Sequence, residues 1–252
     1  MRLLTFNLRF ANPTDGPNRW DLRRELVVET ILSLKPDLVG TQEGTVPQLD
    51  YLAAHLDGFL PLTAHRQVDA TCQYPTIFYR RGFQVKESGE FWLSKTPAVH
   101  RSISWDSAFP RMLTYGLFQE PDRDLWFFFM NTHLDHISAL ARLNGARLIR
   151  EFCREKTEPL ILVGDFNEPP DGAVFAELTA PAARLTDTWR ALHPPGQDPP
   201  TLHDFNGQAR GHRIDWILAS KPFRVIKGDI VEYNRAGRFP SDHFPYSVEV
   251  EY

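Results

Sequence analysis

Ten short runs rich in β-branched and aromatic residues recur along the chain between turn residues, at 2–6, 37–41, 75–79, 83–91, 114–119, 125–132, 160–164, 214–219, 224–231 and 246–250. Only three stretches, 21–34, 46–55 and 138–156, carry helical signals. Many strands with few helices point to an α/β fold, a sandwich of two sheets with helices outside. Lys35-Pro36 ends the first helix, because proline cannot continue one. In the third, Leu140, Leu143, Leu148, Ile149 and Phe152 trace the expected apolar face, with Ser138 as the expected N-cap. The proline-rich segment 191–201, with Pro194-Pro195-Gly196 and Pro199-Pro200, is expected to be a surface loop, since residues 202–252 are too few for an independent core. One domain over 1–252 is the expectation.

Composition excludes several classes of function. The 252 residues carry 28 Lys+Arg against 32 Asp+Glu, a net charge of −4, with 42% apolar residues. This is an ordinary globular balance without a polybasic coat for nucleic acid, although a few arginines and a metal ion could still neutralise phosphates locally. The longest apolar run, 125–130, is far shorter than the roughly 20 residues that span a bilayer, so no membrane partner is expected. The N-terminus lacks a signal-peptide pattern, and Cys72 and Cys153 have no CxxC spacing. A reducing, cytoplasmic setting and a monomer are expected.

Several of the apolar runs end in polar residues suited to chemistry: Asn7, Gln42-Glu43, His133, Asp165 and Ser241-Asp242-His243. Ligands gather outside strand ends in α/β folds, so these residues can converge. In Gly164-Asp165-Phe166-Asn167 an extended backbone would point Asp165 and Asn167 to one side, able to accept a proton from water and orient it; an Asx turn closing the strand explains the same residues. Asp242 suits a hard cation, and Glu43 either such a cation or the N-terminus of the following helix. Asp215, inside an apolar run, needs a partner, for which His243 and Arg213 both qualify. His133 and His136 lack the third ligand of a usual zinc set.

Taken in order, Asn7, Gln42-Glu43, Asn131-Thr132-His133, Gly164-Asp165-Phe166-Asn167, Arg213-Ile214-Asp215 and Ser241-Asp242-His243 resemble the motifs of the endonuclease/exonuclease/phosphatase superfamily, over residues 5–246. Phe91-Trp92-Leu93-Ser94 and Trp105-Asp106 make the chain similar to its compact bacterial metal-dependent hydrolases. The resemblance implies a four-layer α/β sandwich whose two mixed sheets open at one rim onto a Mg²⁺ or Mn²⁺ site. It also implies Glu43 as principal metal ligand with Asn7 and Asp242, Asp165 as water activator, Asn167 as its positioner, His133 and His243 as phosphate contacts, and Asp215 orienting His243. Some nucleases of the superfamily carry an acid where this chain has Arg9, so either the metal site is held with fewer acids or Arg9 reaches a substrate phosphate, the second being the expectation. The segment 99–111, with Arg101, Trp105 and Arg111, together with His136, is the expected substrate wall, and a solvated loop with one packed Trp explains the same residues.

The expected activity is divalent-metal-dependent hydrolysis of a phosphoester, foremost in nucleic acid or a nucleotide. A small sugar or inositol phosphate is the alternative, and a catalytically silent binding domain a second one.

Overall fold

The computed structural model describes residues 1–64, 66–194 and 196–252; Pro195 of the proline-rich segment lies outside the described residues. The strands are β1 (Arg2–Asn7), β2 (Leu38–Gly44), β3 (Phe59–Pro61), β4 (Tyr74–Arg80), β5 (Gln84–Trp92), β6 (Met112–Gln119), β7 (Trp126–His133), β8 (Leu160–Asp165), β9 (Thr186–Asp187), β10 (Asp215–Ala219), β11 (Arg224–Ile230) and β12 (Tyr246–Glu251). The helices are α1 (Trp20–Leu34), α2 (Val46–His55), α3 (Ala139–Glu155) and α4 (Ala173–Leu178). All ten expected strands form; β3, β9 and α4 were not expected.

Two mixed six-stranded sheets result, in the orders β11-β12-β1-β2-β4-β3 and β5-β6-β7-β8-β10-β9. Each has one parallel pair at its centre, β1 with β2 and β7 with β8. Side-chain alternation sorts the core into three layers. Leu3, Ile77, Phe127, Phe129, Ile161, Val163 and Ile217 meet between the sheets. Leu4, Phe6 and Val39 point the other way, to Val27 and Ile31 of α1 and Leu52 of α2. Phe128, Leu160, Leu162 and Trp216 likewise meet Ala146, Ile149 and Cys153 of α3 and Val174 of α4. This is the expected sandwich with helices outside.

Of the expected face of α3, Ile149 is buried and Leu148 and Phe152 pack against the core, but Leu140 does not. Leu140 is 52% exposed, while Ala141, Gly145, Ile149 and Cys153 are buried at a four-residue spacing. The small residues Ala141, Gly145 and Ala146 bring the helix close to the sheet. Ser138 caps α3 as expected, its Oγ accepting the Ala141 N–H.

Candidate active site

The same alternation that fills the space between the sheets makes it polar at one rim. Following Leu3, Phe129, Val163 and Ile217 along their strands by steps of two reaches Asn7, His133, Asp165 and Asp215. The four parallel-paired strands end at that rim, and antiparallel β10 starts there with Asp215 opposite Asp165. β12 runs antiparallel to β1, which brings Asp242 and His243 to the same place. Close approach of the sheets requires Gly40: a Cβ there would lie 2.3 Å from Val163 Cγ2 and 2.9 Å from Asn131. Below the rim Gln42 Nε2 donates to Asn131 Oδ1 (2.8 Å), and Asn131 Nδ2 to the Thr41 carbonyl (2.9 Å), a buried amide link between the sheets.

Asp165 sits at the centre, 1% exposed. Its Oδ2 accepts from Asn7 Nδ2 (2.9 Å) and lies 3.5 Å from His133 Nε2 and 4.0 Å from His243 Nε2. Burial and the Asp215 charge push its pKa up to about 7, against the pull of His243 and of its hydrogen bonds. Its Oδ1 accepts the Asn167 N–H (3.0 Å), the Asx turn allowed by the sequence. The backbone is not extended beyond Asp165, as had been expected: Asn167 adopts φ +50°. This left-handed turn brings Asn167 Nδ2 to the Leu134 carbonyl (3.0 Å) and His133 Nε2 (3.0 Å). A carbonyl only accepts, so it fixes the amide nitrogen there, and His133 Nε2 must accept in turn. Burial and then the nearby Arg111 hold His133 well below its ordinary pKa, so it is neutral with its proton on Nδ1.

His243 is the opposite case. Burial opposes its charge, but Asp215, whose Oδ2 is 2.9 Å from Nδ1, together with Asp165 and Asp242, raises its pKa well above the ordinary value. The partner of Asp215 is therefore His243; Arg213 pairs instead with Asp187 and Asp198.

Glu43 interrupts the β2–β4 register, where a bulge and φ +61° turn it out of strand alternation. Its Oε2 accepts the Phe10 N–H (2.9 Å), and its Oε1 lies 3.4 Å from Asn7 Nδ2. Asn7 offers its amide nitrogen to these acids because the Arg9 N–H occupies Oδ1 (2.9 Å). Asp242 is 3.7 Å from Arg9 Nε. Arg9 itself is engaged by both oxygens of Asp15 (3.0 and 3.1 Å), so the structure shows it bracing two acids.

A pocket opens beside His133 and Glu43, lined also by Arg101, Phe109, Arg111 and Thr71. Arg111 is held 3.6 Å from buried Asp135 and 3.2 Å from His136 Nδ1. Arg101 is exposed at the rim, bonded to Asp69 (2.8 Å) and Thr71 (2.6 Å). Trp105, expected in the substrate wall, does not line the pocket; it is half-buried and its carbonyl accepts from Ser138 Oγ. The aromatic face belongs to Phe109, 53% exposed and stacked on His136 with ring centroids 5.7 Å apart. Sequence reading missed Phe109 and Asp135; the buried carboxylate accepts N–H groups from Ala108, Ile137 and Ser138 and so fixes the wall.

The Endonuclease/Exonuclease/phosphatase family model matches residues 4–243, and the chain belongs to that family. A family protein of Bacteroides thetaiotaomicron has the same fold at TM-score 0.90, 30% identical over 99% of this chain and 97% of that one. A mannosyl-6-phosphatase of Bacteroides thetaiotaomicron VPI-5482 matches at TM-score 0.88, 30% identical over 100% of both chains. Nocturnin of Rattus norvegicus is 29% identical over 94 residues, 34% of this chain; the match spans only 22% of that curated relative. Among the described residues, no helix is long and apolar enough to cross a membrane.

Proposed function

We propose that this chain is a divalent-metal-dependent phosphoester hydrolase acting on a small phosphate ester of the sugar-phosphate class. The observation that carries this reading is the buried Asp165 carboxylate, held by Asn7 between one neutral and one protonated histidine. A carboxylate raised to about 7 is basic enough to take a proton from water near neutral pH. His243 directs its free Nε2 side toward Asp165, where an imidazolium can donate to phosphoryl oxygen. Asp215 fixes its orientation and charge. Asn167 and neutral His133 hold the water and phosphate in reach.

The donor set fits a hard cation. Glu43, Asp242 and Asp165 offer carboxylate oxygens around Asn7; of the guanidinia near them, Arg9 and Arg111 also face Asp15 and Asp135, and Arg23 is spent on carbonyls. Asp165, Asp215 and His243 bring ligand atoms within 4.8 Å of one another, but the commitment of His243 Nδ1 to Asp215 favours Glu43 and Asp242, with the remaining Asn7 Oδ1 lone pair, as the holding group. Oxygen donors suit Mg²⁺ or Mn²⁺, which when bound polarises the phosphoryl group and stabilises the leaving alkoxide.

The full-length similarity to a mannosyl-6-phosphatase and the compact pocket beside Arg111 support a small ester over a polymer. Exposed Phe109 favours the second reading, a nuclease or nucleotide phosphodiesterase, because a base could stack on it. A hydrolysis panel decides between them: mannose 6-phosphate, inositol phosphates, dinucleotides, single-stranded RNA and duplex DNA, each with Mn²⁺ or EDTA. Inorganic phosphate released from the sugar phosphate with Mn²⁺ alone is the expected result. Cleavage confined to RNA or dinucleotides would transfer the assignment to the nuclease reading, and silence throughout to a binding domain.

A further inference from the structure

Arg9 holds φ +54°, a left-handed conformation that a non-glycine residue keeps only where neighbours fix it. The fixing groups come from the two helices behind the first sheet. Arg23 of α1 is 2% exposed, and its guanidinium donates to four carbonyls: Nε to Asn18 (2.8 Å), Nη1 to Leu8 (2.6 Å) and Pro240 (2.8 Å), and Nη2 to Arg9 (2.6 Å). Trp20 and Phe205 flank it, with ring centroids 5.3 and 5.5 Å away. Fully buried Gln48 of α2 donates Nε2 to the same Arg9 carbonyl (3.0 Å) and accepts the Ala11 N–H (3.0 Å).

A trans peptide plane points its C=O and N–H in opposite directions. Gripping the Leu8 carbonyl therefore aims the Arg9 N–H, which meets Asn7 Oδ1 at 2.9 Å. Gripping the Arg9 carbonyl aims the Phe10 N–H, which meets Glu43 Oε2 at 2.9 Å. The Pro240 bond ties in the segment that carries Asp242 and His243, and Ser241 Oγ reinforces this by donating to the Asn7 carbonyl (2.7 Å).

We propose that Arg23 and Gln48 are positioning residues that pre-set Asn7 and Glu43 for a divalent cation by fixing the two peptide planes on either side of Arg9. The proposal rests on the metal-dependent reading of the site. It also accounts for a buried guanidinium that hydrogen-bonds carbonyls, not carboxylates, among the described residues: its planar fork serves geometry.

The test compares the full-length wild type with Arg23→Lys, which keeps the charge and loses the fork, and Gln48→Met, which removes one grip. Three quantities are read at a temperature where far-UV circular dichroism shows each variant folded. They are calorimetric Mn²⁺ affinity, kcat against KM on the best phosphoester, and amide exchange of Arg9 and Phe10 by NMR. For Arg23→Lys, Mn²⁺ affinity and kcat are each expected to fall about tenfold with KM little changed, and both amides to exchange faster. Gln48→Met is expected to do the same more weakly, about threefold, and decides alone if Arg23→Lys does not fold. Wild-type affinity, kcat and amide protection in a folded variant would overturn the proposal. A wild type that neither binds Mn²⁺ nor hydrolyses any ester would defeat the phosphoesterase reading instead, and the amide exchange would still report whether the grip holds the turn.

Discussion

Arg213 and Asp215 stand two residues apart at the start of one strand, yet they belong to buried charge clusters of opposite design. Around Arg213, which is fully buried, the two carboxylates Asp187 and Asp198 are met by two guanidinia, Arg213 itself and Arg190, 3.5 Å from Asp198. Around Asp215 a single protonated histidine faces two carboxylates, Glu43 and Asp242 lie beyond, and of the guanidinia near them, Arg9, Arg23 and Arg111, two also face acids of their own, Asp15 and Asp135. Where the chain supplies its own cations a cluster serves the fold. Where it leaves an excess of acid under a pocket, the missing positive charge has to come from outside.

The largest effect should come from breaking the balanced cluster. Arg213→Met would leave buried Asp187 without its hydrogen-bonded counter-charge, with only the looser Arg190 4.0 Å away, costing about 3 kcal/mol in a denaturant titration. A loss under about 1 kcal/mol would erase the distinction between the clusters. In the unbalanced cluster the loss should be catalytic: Asp165→Asn and His243→Ala are each expected to lower kcat at least about a hundredfold. Asp165→Asn should not lower the melting temperature, because it removes a buried, poorly compensated charge.

The pH dependence of stability, measured without metal, sharpens the contrast. Asp165 is raised in the folded state to about 7 from its ordinary 3.8, so between those values the native chain binds more protons than the unfolded chain. The contribution is therefore fully present below about pH 4 and lost as pH rises toward about 7. His243, also raised, stabilises fully below its ordinary 6.5 and loses that contribution as pH climbs through its folded value. The wild type should lose stability relative to Asp165→Asn across pH 4–7; parallel profiles would show that Asp165 is not strained. The smallest effect should fall on the exposed Arg224–Glu251 pair, where Arg224→Ala changes stability by no more than about 0.5 kcal/mol.

What the sequence made legible follows from how far each signal reaches along the chain. Runs of five or more residues rich in β-branched and aromatic side chains mark strands, and all ten expected ones form; at Leu3, Phe127–Phe129 and Ile161–Val163 both faces are apolar. β9, two residues long, and β3, three, are defined by their neighbours and carry no pattern of their own. The polar residues at strand ends were readable because they interrupt apolar alternation. Their partners were not, since nothing local distinguishes His243 from Arg213 as the companion of Asp215, or Asp187 as the companion of Arg213. Trp105 attracted attention by size, whereas Phe109 lines the pocket because Asp135 folds that segment back through the Ala108 N–H. Nothing local in the sequence marks Arg23 as buried; its burial depends on carbonyls as distant as Pro240.

Calorimetric titration of Mn²⁺ into the wild type and Asp165→Asn near pH 6, repeated in buffers of different ionisation enthalpy, tests the unbalanced cluster most directly. The expected wild-type result is binding accompanied by proton release, because a cation ionises a carboxyl that the metal-free chain keeps largely protonated. In Asp165→Asn that proton release should vanish. No heat of binding in the wild type, or binding with identical proton release in both proteins, would contradict it.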